Sequence, residues 1–315
     1  MRLLSTPIAI GCVGWLTQRG VISTGSLSTN ARTSSKERLP EPIAYKSNRE
    51  YVRQVLREEV DLRADGAQFV NKNQEPERSR DHTERMLAAR GVGITSAGTA
   101  VSLHAARAIE AVDVVVPGDP SSAAFFAALA AIADTGSLSM PGVGINPTRT
   151  GFFDALARMG ASLQWTDSAD AGGEPIGTLH ASASTLRGIA VGAAEVPSMI
   201  DELPLLACIA ACAQGDTEIR GAAELRVKES DRIAAVVANL RAIGADAEEL
   251  PDGMRIAGSG RPLRGRVVTH GDHRLAMAFG ILGARAGNDI VIDDPACVGV
   301  SYPAFWDDLR RVVAR

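Results

Sequence analysis

From residue 119 onward the chain alternates two kinds of apolar pattern. Three runs are apolar almost without interruption: "AAFFAALAAIA" at 123–133, "LPLLACIAACA" at 203–213 and "LAMAFGILGA" at 275–284. A helix that is apolar on every side belongs in a core. An Asp stands ahead of each run, at Asp119, Asp201 and Asp272, and is read as the residue that opens the helix. A Gly follows each run, at Gly136, Gly215 and Gly287, and then a short extended stretch: "SLSMPGV", "DTEIRGA" and "NDIVIDD". After each stretch comes a segment with apolar positions at helical spacing: "TGFFDALARMGA", "SDRIAAVVANLRAIGA" and "YPAFWDDLRRVVA". In the second of these, Ile233, Val236, Val237, Leu240 and Ile243 share one face, so the helix is half-solvated.

The same order of elements three times over is an internal repeat. It predicts an α/β (α+β) fold of strand–helix–strand–helix modules around central buried helices. Candidate strands at "ASLQW" and "DGMRIAG" close the first two units, whereas the third stops at its second helix. A further helix, "TERMLAARG", precedes the repeats, which places a domain boundary near Pro117–Gly118. Residues 118–315 are then one domain of three units, and 37–117 the remnant of an earlier one. Residues 1–36, Ser/Thr-rich with no acid before Glu37, are set aside as a leader of transit- or signal-peptide type.

The 315 residues suffice for sizeable cores. A hydrophobic content of 45% with only 4% aromatics, together with abundant Ala and Gly, suits closely packed layers and argues against disorder. The net charge of −4 gives no overall basic field, so nucleic acid is not expected as a partner. The longest uninterrupted apolar run is too short to cross a bilayer, so no membrane is expected either. The cysteines, Cys12, Cys208, Cys212 and Cys297, form no disulfide framework, which fits a reducing cytoplasm. Cys208 and Cys212 are read as buried core thiols.

The candidate chemistry lies at helix starts. "HGDHR" places Asp272, His273 and Arg274 ahead of a helix with no further charge until Arg285. A cation there is unfavourable unless an anion joins it, because free N–H groups and Arg together make an anion site. The alternatives are an Arg274–Asp272 pair and a metal held by His270, Asp272 and His273. In "ELRVKESDR", Arg226, Lys228, Glu229, Asp231 and Arg232 crowd another helix start, and the four-residue spacing of Lys228 and Arg232 lets them share a face. By itself that stretch also fits a solvated, self-neutralising first turn. Arg274 at the equivalent end of the next unit, and Asp201 ahead of an apolar helix, tilt the balance. Carboxylates beside cations point to an enzyme that binds phosphate or carboxylate and moves a proton.

"VPGDPSSAAFF", "ELRVKESDR", "HGDHRLAMA" and "SRDHTERML" resemble, in order, signature stretches of the EPSP synthase (3-phosphoshikimate 1-carboxyvinyltransferase) family. The resemblance is strong from about Glu75 to Arg315 and faint from about Leu39, in "LPEPIAYKS" and "LRADGA". It implies two domains of βαβαββ units and transfer of an enolpyruvyl group from phosphoenolpyruvate to the 5-hydroxyl of shikimate 3-phosphate. Phosphate is released, and no metal or organic cofactor is needed. It implies a monomer. Asp201 then takes the proton of the attacking hydroxyl, and Glu229, with Lys228, handles the methylene proton. Arg232 and Arg274 hold phosphoenolpyruvate, while Lys228 and Ser79 contact shikimate 3-phosphate.

Several family features have no counterpart. There is no Gly-Asp-Lys-Ser segment, no Asn-Ala-Gly-Thr loop in place ("SAGTA" at 96–100 follows the wrong helix), and no Arg-rich segment before a Pro-Met. The stretch "YKSNREYVRQVLREE" offers Gln54 alone for a Ser-Ser-Gln site, and Val300 stands where some members have Lys. The expectation is a truncated or damaged member with half a substrate clamp, an open sheet edge in its third unit, and poor turnover alone. Rival readings are a non-catalytic binder of phosphorylated metabolites, a functionless fragment, or the sister enolpyruvyl transferase acting on UDP-N-acetylglucosamine; that last enzyme uses a reactive loop cysteine, which this chain lacks.

Overall fold

The computed structural model describes residues 2–3, 67–70, 80–97, 100–104 and 109–314. The leader beyond Leu3, the "LPEPIAYKS" stretch, "LRADGA" up to Gly66, Gln54, Ser79 and Cys12 lie outside them. Arg2–Leu3 form β1, and an antiparallel sheet of β2 (Ala67–Val70), β4 (Ala100–Leu103) and β3 (Ile94–Ala97) flanks α1 (His82–Ala88).

The repeat is real. Its first unit contains α2 (Pro120–Ile132), β5 (Ser137–Gly144), α3 (Gly151–Arg158), β6 (Ser162–Asp170) and β7 (Pro175–Ser182). The second runs β8 (Ala190–Val191), α4 (Leu203–Ala210), β9 (Gly215–Ile219), α5 (Arg232–Ala242), β10 (Asp246–Leu250) and β11 (Gly253–Gly258). The third runs β12 (Arg264–Val267), α6 (His273–Ala284), β13 (Asp289–Ile292) and α7 (Phe305–Val312), followed by β14 (Val313–Ala314). The first strand of units two and three pairs in parallel with the strand beyond its buried helix, β8 with β9 and β12 with β13. In the first unit the parallel bridge Gly118–Val143 occupies the same place. Gly136, Gly215 and Gly287 take φ of 104°, 82° and 86°, the same left-handed step at the same point of each unit.

Helices α2, α4 and α6 pack against one another and are buried almost end to end. Their Ala-rich surfaces allow close approach, and Phe125, Phe126 and Phe305 fill the core with edge-to-face and tilted contacts. Gly280 is needed for α7 to dock, since a Cβ there would stand 2.7 Å from the Trp306 ring. The predicted inner face of α5 is buried as expected, and so is Cys208, whereas Cys212 is only partly covered.

Some expectations are corrected. The candidate strands at "ASLQW" and "DGMRIAG" are present, each as one arm of a closing hairpin, β6–β7 and β10–β11. Asp119 and Asp272 cap α2 and α6, but Asp201 does not cap α4: it sits in a 3-10 turn, Ile200–Glu202, ahead of a helix that begins at Leu203. The third unit does not end at its second helix, because β14 pairs antiparallel with β1. Its β12–β13 sheet is two-stranded among the described residues.

Candidate active site

The fold brings the N-terminal ends of α2, α4, α5 and α6 within side-chain reach of each other, and the charged residues of the sequence motifs meet there. Arg232, the first residue of α5, turns inward and is only 1% exposed. It grips Asp272 side-on, with Nε donating to Oδ2 at 2.8 Å and Nη2 to Oδ1 at 3.3 Å. Nη2 also donates to Glu229 Oε2 at 2.6 Å, and Nη1 to Asp201 Oδ1 at 3.4 Å. Asp272 is fully buried, caps α6 through the amide of Arg274 (2.9 Å), and also accepts from Ser230 Oγ (3.1 Å).

Arg274 does not pair its side chain with Asp272, contrary to the simplest sequence alternative. Its guanidinium reaches across to the second unit: Nη1 donates to Asp201 O at 3.2 Å and Glu202 Oε1 at 3.3 Å, and Nη2 lies 3.7 Å from Asp201 Oδ2. Asp272 is committed to Arg232, Ser230 and the α6 cap. His270 itself is exposed, in a turn where its φ of 55° and the 73° of Gly271 reverse the chain into α6.

Asp201 stands at the centre. Having no helix to cap, it faces Arg274, Arg232 and, at 3.8 Å, Arg80. Burial pushes its carboxyl up, but Arg274, Lys228, Arg232 and Arg80 outweigh that and hold it below the usual range. Burial pushes Arg232 down, and its bond to Asp272 more than restores it, so the guanidinium is firmly charged. Burial, with Arg274 beside it, lowers His273 and keeps that imidazole neutral to lower pH.

The crowd of charge at 224–232 separates into two roles. Arg226 is structural: it spans Asp231 and Glu249 at 2.9 Å each and bonds the carbonyls of Leu250 and Pro251. Lys228 pairs with Glu224 and lies near enough to Asp201 to lower its pKa. Lys228 and Arg232 do not share a helix face, since Lys228 is extended and α5 begins only at Arg232. Glu229, half-exposed, meets the site through Arg232. Ser79 lies outside the described residues.

Three site residues were missed in the sequence. Arg80 also donates to the carbonyls of Thr148 and Pro197, at 3.3 and 3.1 Å, and burial with Arg149 nearby lowers its pKa. Arg149 holds Ser121 Oγ at 2.6 Å and Asp119 Oδ1 at 3.4 Å. Glu202 is buried beneath Arg274. Arg80 was signalled only by standing beside Ser79 in "SRDHTERML"; the other two carried no signal. Neighbouring Asn146, buried, donates to Asp81 (2.6 Å) and Glu174 (3.1 Å) and so ties the "SRDH" segment to the first unit. A wider cleft of about 600 Å³ lies at the opposite ends of the buried helices, with Asp134, Gln214, Cys212 and Arg285 in its wall. Arg285 is the one cation in that wall.

An ionised carboxylate ringed by Arg80, Arg232 and Arg274, with Lys228 and Glu229 beside it, suits recognition of anionic groups and transfer of a proton among them. Comparison with known proteins agrees. The family model described as EPSP synthase (3-phosphoshikimate 1-carboxyvinyltransferase) matches residues 60–309. The 3-phosphoshikimate 1-carboxyvinyltransferase of Geobacter metallireducens is 46% identical over 241 residues, covering 76% of this chain and 56% of that protein. The enzyme of that name from Bacillus subtilis is 44% identical over 253 residues, covering 80% and 58%. Among solved structures, the EPSP synthase of Acinetobacter baumannii superposes with a TM-score of 0.74 at 41% identity, over 79% of this chain and 57% of that one. The chain thus spans little more than half the length of these relatives. By this match in sequence and in fold, the chain belongs to the EPSP synthase family.

Proposed function

We propose that this chain carries the carboxylate-and-arginine half of an enolpyruvyl transfer site. The reaction moves the enolpyruvyl group of phosphoenolpyruvate to the 5-hydroxyl of shikimate 3-phosphate and releases phosphate. The observation that carries the reading is Asp201, uncapped and held between Arg274, Arg232 and Arg80. In the reaction Arg232 and Arg274 take the phosphate and carboxylate of phosphoenolpyruvate, while Lys228, Arg80 and Ser79 face shikimate 3-phosphate. Asp201 accepts the proton of the attacking hydroxyl. Glu229, with Lys228, delivers a proton to the methylene carbon and then removes one from the methyl group so formed as phosphate leaves.

The Asp201 carboxyl is held low by the arginines that its carboxylate neutralises. Anionic substrates compete for those cations, which raises Asp201 toward the range of a working base. Catalysis in such a site is positioning and electrostatics. The test is phosphate release with both substrates, alongside calorimetric titration of shikimate 3-phosphate with and without phosphoenolpyruvate. Release that needs both substrates and disappears in Asp201→Asn, with coupled binding, supports the reading. No release and no coupling overturn it.

A further inference from the structure

The second unit presents two adjacent carboxylates with opposite surroundings. Asp201 faces the site with its side chain a quarter exposed, whereas Glu202 is 3% exposed. A 3-10 turn sends consecutive side chains about 120° apart, so one points to the site and the other beneath it. A carboxylate so deeply buried is costly unless paired and hydrogen-bonded. Glu202 is paired and hydrogen-bonded through Arg274, whose Nη1 donates to Oε1 at 3.3 Å, and the Ser121 hydroxyl stands close enough to lower its carboxyl.

Ser121, itself buried, accepts from Arg149 Nη2 at 2.6 Å. A hydroxyl can accept one hydrogen bond and donate another. Arg149, Ser121, Glu202 and Arg274 therefore lie in polar succession beneath the site, across the starts of α2, α4 and α6. Arg274 shows the consequence. Nη1 is spent on protein, between Glu202 Oε1 and Asp201 O, while Nη2 is left beside the Asp201 carboxylate.

We propose that Glu202 is a positioning residue, one that fixes the angle at which Arg274 meets its anion and ties that angle, through Ser121, to Arg149 and α2. The role rests on the proposed function only in taking Arg274 as an anion-binding residue. Glu202 touches no substrate; it acts through Arg274. The two carboxylates divide the work, Asp201 as the proton acceptor and Glu202 as the anchor. Burial raises the Glu202 carboxyl, against the pull of Arg274 and Ser121, while the surrounding cations lower Asp201. A divergence of this kind accompanies a division of roles.

The test uses Glu202→Gln, which keeps the volume and removes the charge, and Ser121→Ala, which removes only the relay hydroxyl. Arginine side-chain nitrogen NMR on the whole chain reads the orientation of Arg274 without any ligand. The expected result is a slowly rotating Arg274 guanidinium in the parent chain and faster rotation in Glu202→Gln, with a smaller change in Ser121→Ala. Phosphoenolpyruvate titration should show about tenfold weaker binding in Glu202→Gln, the scale of one hydrogen bond to a charged group. Where turnover is measurable, that loss appears in KM more than in kcat, and adding Glu202→Gln to Arg274→Lys costs little more than Arg274→Lys alone. An Arg274 signal unchanged in both variants overturns the proposal, even if stability falls, because a merely structural role leaves that signal alone. Should the parent chain bind no phosphoenolpyruvate, the proposed function fails, and the NMR comparison still decides the role of Glu202.

Discussion

Asp272→Asn is the sharpest perturbation of the site's frame. Asp272 is fully buried, and its two oxygens serve the Arg232 guanidinium and the α6 cap at once. Asn supplies one acceptor oxygen and an NH₂ group, so it serves one of these needs and turns a donor toward the other. Removing one partner of a buried ion pair costs about 3–5 kcal/mol, and losing an N-cap about 1 kcal/mol. Arg232 keeps Glu229 and Asp201, the second only at 3.4 Å, so the sum belongs near its lower end, about 4 kcal/mol. With a urea slope of about 3 kcal/mol per M, the unfolding midpoint falls by about 1 M. The assay is urea unfolding at pH 7 of Asp272→Asn, Arg232→Met and the double variant. The double variant should lose much less than the sum of the singles, because it leaves no unpaired buried charge. A loss under about 1 kcal/mol in the single variant, or additivity in the double, refutes the reasoning.

Gly280→Ala forces a Cβ against Trp306 and should cost about 1–3 kcal/mol by urea unfolding; an unchanged midpoint means that α7 docks with slack. Asn146→Ala leaves Asp81 and Glu174 short of a buried donor, and should cost about 1–3 kcal/mol while speeding proteolysis within 80–104. Asp201 and Asp272 both have carboxyls lowered from 3.8, so the stability they contribute is full at higher pH and is lost as pH falls below that value; Asp272→Asn should flatten this acid limb of a stability–pH curve. Glu202, raised from 4.5, has the opposite sign: it costs stability as pH rises above that value, and Glu202→Gln should remove that decline. Arg274→Lys should weaken phosphoenolpyruvate binding in calorimetry, since an ammonium cannot span Glu202 and the site together; parent-like affinity would count against Arg274 as the anion's partner.

Much of the fold was legible in the sequence because it rests on local periodicity. A run such as "AAFFAALAAIA" has no polar side to turn outward, so α2 had to be central, and the same holds for α4 and α6. Gly136, Gly215 and Gly287 marked the matching turns because a left-handed step favours Gly whatever surrounds it. Residue types at helix starts likewise announced where charged side chains gather. Tertiary structure decided which charge does what. Arg226 and Arg232 look alike in "ELRVKESDR", yet one spans surface acids and the other is sealed against Asp272, forty positions away in sequence. That outcome depends on where α6 lies relative to α5, which no local pattern contains. The same holds for Arg80, whose partner Asp201 comes from another unit, and for Asp201, which looked like the other two capping acids. Only the 3-10 turn before Leu203 freed its carboxylate from capping, and the arginines then gathered round it because a half-buried charge needs opposite charge nearby.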